Sequence, residues 1–553
     1  MLVACRVDML KLSSIWAWRN RCSSFKLLAV QFDFRHCNGR GKGQLYRCHF
    51  AHLFGANNSG NAMHVTPIDS AHGKSLYEQV ADRVQSLIAE GTLQPGDRLP
   101  SVRKLHEQLS VSISTVLEAY RLLEDRGLIQ ARPQSGYYVR RTALIEPEEP
   151  DNATPRNPAA IDNSLAYQVM QAMRDPNVVQ LGAAVPHTDL LPLTTLNRLI
   201  GHILRYQSAE AHADSVPPGS EALRHEVARR LMDAGCSVTP DEIVITNGAF
   251  EAVYLSLRAV TQPGDTVVIE SPAYFDFFEA FELLHLNALE LPTHPQGGVS
   301  LAHLEQALQT QQIAACLFVP NFSNPLGSCM SDMRKQQLAT MLEHYDIPLI
   351  EDDVFGDLHF QGVRPKAVKA FDRQGKVLYC SSVSKTVSPG LRIGWAVAGR
   401  YQARVERFKW VINQTTAMTP QLALAAFLVN GGYDRHLRHM RRTYQTQMTR
   451  MRRAITDYFP AETNVSRPRG GQVLWLEMPL EFNAMDLYQA SIQRGISIAP
   501  GAIFSRTGNY QNCFRLNCSI PWSEQLEGAM KTLGYLCKMQ LAEKMLSGVE
   551  HST

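Results

Sequence analysis

The sequence predicts two folded modules of unequal size: a small helical one closed by a β-ribbon, and a large α/β domain on a mainly parallel sheet. Three observations carry that expectation. Apolar residues recur at helical spacing from residue 75 to 125 and are followed by two short β-prone runs; from about residue 163 onward short apolar runs alternate with helical patterns; a proline- and acid-rich stretch separates the two. With 553 residues, 45% apolar and 19% charged, the chain is long enough for more than one core. No run approaches the roughly 18 apolar residues of a membrane span.

Charge leaves the partner open. The 55 basic and 52 acidic residues give a net +3, which neither demands nor excludes a nucleic acid, so any such surface must be found locally. Eleven cysteines without CxxC pairs point to reduced thiols in a cytoplasmic protein rather than to a disulfide framework, and no zinc or other metal site is indicated.

In the small module, SLYEQVADRVQSLIAEG sets Leu76, Val80, Val84, Leu87 and Ile88 on one helical face, with Gly91 as a stop. After TLQPGDRLP, Ser101 can cap a helix through VRKLHEQL, and a short link leads to STVLEAYRLLEDRG, with Val116, Ala119, Tyr120 and Leu123 at helical spacing. LIQARPQSGYYV then reads as two strands around a turn from Pro133 to Gly136. Three helices and such a ribbon make a winged helix-turn-helix. The stretch PGDRLPSVRKLHEQLSVSISTVLEAYRLLEDRGLI and the wing SGYYV resemble the GntR family of bacterial regulators. The resemblance implies that the third helix, from about Ser114, enters a DNA major groove, with Ser101, Arg103, Ser112, Ser114 and Thr115 near phosphates or base edges. Where that family often has an arginine this chain has Ile113, which leaves the operator open. Residues 75–141 hold nine basic and eight acidic residues, a weak electrostatic footprint that dimerisation would multiply.

Residues 142–162, TALIEPEEPDNATPRNPAAID up to Asp162, lack any apolar period and read as a partly extended linker. Residues 1–62 hold four scattered cysteines and no sustained period, and Lys11, Arg19, Arg21 and Lys26 interrupt any signal-peptide core. Three readings stay open for this extension: a transit peptide, a segment that is not translated, with the start at Met63, or one without stable structure.

In the large module, residues 163–545, chemistry is expected at the carboxyl ends of strands. EIVITNGAFEAVYLSLRAV is a strand, a turn at Gly248 and Ala249, and a helix whose free N–H groups could hold a phosphate. TVVIESPAYF leads to Tyr274, CLFVPNFSNPLG to Asn324, IPLIEDDVFGDL to Asp352 and VLYCSSVSK to Lys385. Each feature alone has a plain structural explanation: a solvated lysine, a helix-capping aspartate, a turn. Together they form the requirement set for pyridoxal 5′-phosphate. That cofactor needs a lysine to form a Schiff base with its aldehyde, a carboxylate at the ring nitrogen, an aromatic on the ring, an amide at the ring oxygen, and hydroxyls with an arginine at the phosphate.

The order of these motifs resembles fold-type I, aminotransferase-like proteins, and the fusion to a GntR-like module resembles the MocR subfamily of transcriptional regulators. The resemblance covers about residues 75–540. It implies that Lys385 carries the cofactor, that Ser382, Ser384 and Arg392 bind its phosphate with the Gly248–Ala249 turn, and that Tyr274, Asn324 and Asp352 hold its ring. It also implies that Arg515, in CFRLNC, clamps a ligand α-carboxylate and that Gly182, in LGAAVPHTDLLP, belongs to the segment covering the ligand. Two positions depart from the pattern: Phe355 stands where many aminotransferases have a tyrosine on the ring oxygen, and Asp214 where many have one reaching the partner subunit's phosphate. The expected protein is a bacterial, cytoplasmic, head-to-tail homodimeric regulator, nucleoid-associated when bound to double-stranded DNA, that senses pyridoxal phosphate or an amino compound. The alternative is an active aminotransferase with a DNA-binding arm.

Overall fold

The structure is a computed structural model that describes residues 75–140 and 164–550 apart from 90–91, 95, 133–134, 172–174, 361 and 430. The expectations for residues 1–62 and for the linker at 142–162 lie outside the described residues.

The small module follows its apolar pattern. Helices α1 (Leu76–Ala89), α2 (Val102–Leu109) and α3 (Ile113–Asp125) precede a hairpin of β1 (Ile129–Arg132) and β2 (Gly136–Val139). Val80, Val84, Leu105, Val116, Tyr120, Leu123 and Ile129 form its core, each burial contributing about 1.5–3 kcal/mol before the entropy cost. Leu76, expected on the buried face, is instead exposed at the first position of α1, where the helix end overhangs the core, and Ala81 joins Val80 and Val84 inside. The α2–α3 turn is tight because Ser110 adopts φ +53° and His106 Nδ1 lies 2.5 Å from the Val111 carbonyl oxygen. Tyr120 ties the wing to α3: its hydroxyl donates to the Pro100 carbonyl (2.8 Å) and its ring meets Tyr137 edge-on at 4.8 Å.

The large module is organised by an eight-stranded sheet. Its strands are β3 (Val244–Thr246), β4 (Thr266–Ser271), β5 (Asn287–His294), β6 (Gly298–Val299), β7 (Ala315–Phe318), β8 (Leu349–Asp352), β9 (Val377–Ser382) and β10 (Gly394–Val397), in spatial order β3-β10-β9-β8-β7-β4-β5-β6. The five from β9 to β5 run parallel; β10 is reversed between β9 and β3, and β6 is reversed at the far edge. Both faces are buried. Val267 and Ile269 of β4 enter one core and Val268 another, which is why the strand reads as a continuous apolar run.

A second, antiparallel sheet of β11 (Asn464–Val465), β12 (Val473–Glu477), β13 (Ala499–Pro500) and β14 (Cys513–Asn517) is ordered β11-β12-β14-β13. The 27-residue helix Gly432–Tyr458 joins the two halves of the domain. Tyr433, Leu437, Met440 and Tyr444 pack into the core beside the large sheet, and Met448, Met451 and Ile455 pack into the core of the second. Among the described residues no helix is long and apolar enough to cross a membrane, no cluster of metal-ligating side chains occurs, and the seven cysteines are all unpaired.

Candidate functional site

Strand register assembles one corner of the site. Asp352 of β8 lies opposite Cys380 of β9, so Ser382 ends β9 two residues further on and Lys385 sits in the turn beyond. Because β10 runs back between β9 and β3, Gly394 pairs with both Ser382 and Thr246. This draws in the Gly248–Ala249 turn, where helix α4 (Ala249–Val260) begins. Two glycines are required here. Gly248 has φ +89°, and a Cβ on it would lie 2.5 Å from Arg392 Nη2; a Cβ on Gly394 would lie 2.4 Å from the Gly248 carbonyl carbon. Gly394 was not singled out in the sequence, although a glycine inside an apolar strand signals such a close backbone approach. Arg392, at φ +54°, donates from Nη2 to the Asn247 carbonyl oxygen (3.0 Å).

These elements wall a cavity of about 220 Å³ lined by Ala249, Tyr274, Asn324, Asp352, Phe355, Ser382, Ser384, Lys385 and Arg392. Every residue expected to hold a cofactor except Gly248 lines it, and Gly248 adjoins it through Ala249. Lys385 donates from Nζ to the Ala184 carbonyl oxygen (2.7 Å) and lies 5.8 Å from the Phe355 ring centroid. Burial, and then the Arg515 guanidinium, bring its pKa down to about 8. Burial lifts the Asp352 carboxyl to about 7, although the Val354 N–H donates to its Oδ1 at 3.2 Å. Asn324 does not end its strand, as the sequence suggested: β7 stops at Phe318, and a six-residue excursion carries Asn324 to the cavity.

A second corner adjoins the first. Arg515 lies on β14 and is only 2% exposed. It donates from Nη1 to Asn324 Oδ1 (2.6 Å) and from Nη2 to the Gly182 carbonyl oxygen, while its buried Nε has no partner. Burial lowers its pKa to about 10. A Cβ on Gly182 would fall 2.5 Å from Ser497 Oγ, so the backbone at this position packs where only glycine fits. Asp276 and Phe277 also line the cavity and were missed in the sequence. Asp276 accepts from the Tyr274 hydroxyl at 2.5 Å. Its signal was a single carboxylate inside the aromatic run YFDFF. Asp214 is exposed, outside this cavity, and accepts from the Ser215 N–H.

On the small module, Ser101, Arg103, Ser112 and Ser114 are exposed and Thr115 is half-buried. Ser101 caps α2 by accepting from the Lys104 N–H (3.3 Å), and Ser112 caps α3 by accepting from the Thr115 N–H (3.1 Å). The third helix starts at Ile113, one residue before the expected Ser114. Ile113 and Leu117 project from it with 45% and 37% exposure.

A winged helix on one chain with an aminotransferase-type α/β domain defines a class of regulator. Residues 76–139 match the family of bacterial regulatory proteins, gntR family, and residues 177–533 match aminotransferase class I and II. The chain is 41% identical to the uncharacterised HTH-type transcriptional regulator YdcR of Escherichia coli K12, over 84% of this chain and 99% of that protein. It is 36% identical to YjiR of the same organism, likewise described as an uncharacterised HTH-type transcriptional regulator, over 83% and 98%. It is also similar to the crystal structure of LysN, an α-aminoadipate aminotransferase from Thermus thermophilus complexed with N-(5′-phosphopyridoxyl)-L-leucine. That match has a TM-score of 0.63 and 25% identity, over 69% of this chain and all of that one. The chain belongs to the GntR-type regulators that carry an aminotransferase class I and II domain, the MocR architecture.

Proposed function

We propose that this protein is a transcriptional regulator that binds double-stranded DNA through its winged helix and pyridoxal 5′-phosphate through its large domain, and that it senses an amino compound there. The observation that carries the reading is the convergence of the Lys385 amine and the Asp352 carboxyl, from different strands, on the cavity that Arg392 and the α4 N-terminus also face.

The residues fit the cofactor. Gly248 and Gly394 keep the phosphate turn open, with Ser382, Ser384, Arg392 and the first N–H groups of α4 as anion donors. Asp352, with a single backbone donor, can hold a protonated ring nitrogen. Asn324 gives its Oδ1 to Arg515 and keeps Nδ2 for a ring oxygen. Tyr274 supplies the aromatic face. When bound, the cofactor supplies an aldehyde conjugated to an electron-withdrawing ring. Lys385, with its lowered pKa, holds a useful fraction of neutral nucleophilic amine near neutral pH. Arg515 offers a guanidinium fork, already anchored by Asn324 and Gly182, to a ligand carboxylate.

Phe355 packs beside Lys385 without a hydroxyl, so the ring oxygen lacks the phenol donor that many aminotransferases have. Ligand capture therefore survives better than turnover, which favours a sensor. Lys385, Asp352 and Arg515 support a second reading, an active aminotransferase with a DNA-binding arm. In the regulator, head-to-tail dimers of a cytoplasmic protein would set the spacing of two winged helices, and ligand capture would shift operator affinity. DNA titrations with and without cofactor and amino compound test this. Reciprocal coupling of the two affinities is expected. Identical DNA affinities under all conditions, with steady keto-acid-dependent turnover, would replace it with the aminotransferase reading.

A further inference from the structure

The cavity contains one more ionisable group than the cofactor and an α-carboxylate need. In the reading above, Arg392 faces the phosphate, Asp352 the ring nitrogen, Lys385 the aldehyde and Arg515 the ligand carboxylate. Asp276 has no counterpart in that set, yet it lines the same cavity. Burial pushes its carboxyl above the usual aspartate range, against the Tyr274 hydrogen bond and the weaker pull of Lys385 and Arg515, the two groups that bracket a bound amino acid.

Its contact with Tyr274 engages only part of the carboxyl. The Tyr274 hydroxyl donates to Oδ2 alone, and a neutral amide oxygen could also accept that bond, though more weakly. No neighbouring cation neutralises Asp276 from the helix it sits on (Phe275–Leu283). Glu279, one turn further along, is also acidic, and Arg506 is engaged by Glu279 at 3.4 Å and by Glu282 at 4.0 Å. Once Lys385 is committed to the cofactor and Arg515 to a carboxylate, a carboxylate facing the cavity is left uncompensated. A neutral side chain on the ligand would bury it unpaired, and an acidic one would add repulsion.

We infer that Asp276 selects the ligand: the amino compound this site senses carries a second cationic group, as basic amino acids and diamines do, and that group pairs with Asp276. The inference rests on the cofactor-bound sensor reading above and names the ligand class within it.

The test uses the full chain loaded with pyridoxal phosphate, and the shift in its visible absorbance on titration with L-lysine, L-ornithine and L-norleucine. Norleucine has the carbon skeleton of lysine without the terminal amine, so the ratio of the two affinities isolates the second charge. The wild type is expected to bind lysine or ornithine at least about tenfold more tightly than norleucine, the discrimination a desolvated charge pair supplies. Asp276→Asn, which keeps an acceptor for Tyr274, is expected to bring that ratio close to one. Equal affinities in the wild type, or a ratio unchanged by Asp276→Asn, would overturn the inference and leave the sensor reading standing. Absence of any Lys385-dependent absorbance band would overturn the sensor reading itself.

Discussion

The winged helix and the cofactor-type cavity place their functional side chains in opposite environments. On the small module four of the five expected DNA contacts are exposed on a surface of nearly balanced charge, and two of them, Ser101 and Ser112, are already engaged as helix caps. In the large module the corresponding groups are withdrawn from water, and burial moves Lys385 to about 8, Asp352 to about 7 and Arg515 to about 10. Burying a charge is costly unless something compensates it, so a cluster of buried charges advertises a ligand, whereas exposed serines advertise little.

The sharpest way to break this contrast is to measure how Lys385 titrates. In the apoprotein, labelling of Lys385 by a neutral acylating reagent, followed by mass spectrometry, should rise with pH through a midpoint near 8, because the neutral amine is the reactive form. Relative to an ordinary lysine with pKa about 10.4, that implies more than about a hundredfold more neutral amine at pH 7. A midpoint above 10 would return Lys385 to the class of solvated surface lysines.

Arg515→Lys should weaken binding of an amino acid's carboxylate by about 2 kcal/mol, through loss of the two-pronged donor, while the cofactor band remains. Equilibrium titration of the holoprotein checks this. On the exposed side, Arg103→Ala should lower DNA affinity uniformly across sequences and reduce the salt slope by about 1, as loss of one phosphate contact requires. The smallest effect is expected from Ser112→Ala, about 1 kcal/mol of stability from the lost cap of α3, read by thermal unfolding.

Legibility in the sequence followed the same division. The core of the small module was readable at Val116, Ala119, Tyr120 and Leu123 because helical spacing dictates it, and it failed at Leu76, where the face ran past the end of the packing. Lys385, Asp352 and Tyr274 were readable because each follows an apolar strand closely. Asn324 was readable as a motif but misplaced on its strand, since five residues of irregular backbone intervene. Gly394 and Asp276 escaped notice for a different reason. The role of Gly394 depends on the reversed strand β10, a matter of topology, and that of Asp276 on which charges the fold leaves unmatched. Neither is a property of local sequence.

The central claim is that Lys385 carries the cofactor at the heart of a sensing domain, and a visible absorbance spectrum of the purified protein with pyridoxal phosphate, beside Lys385→Ala, tests it most directly. The account predicts a band that the wild type shows and the variant lacks, and that shifts with an amino compound and then holds steady. The same band in both proteins, or in neither, would contradict it.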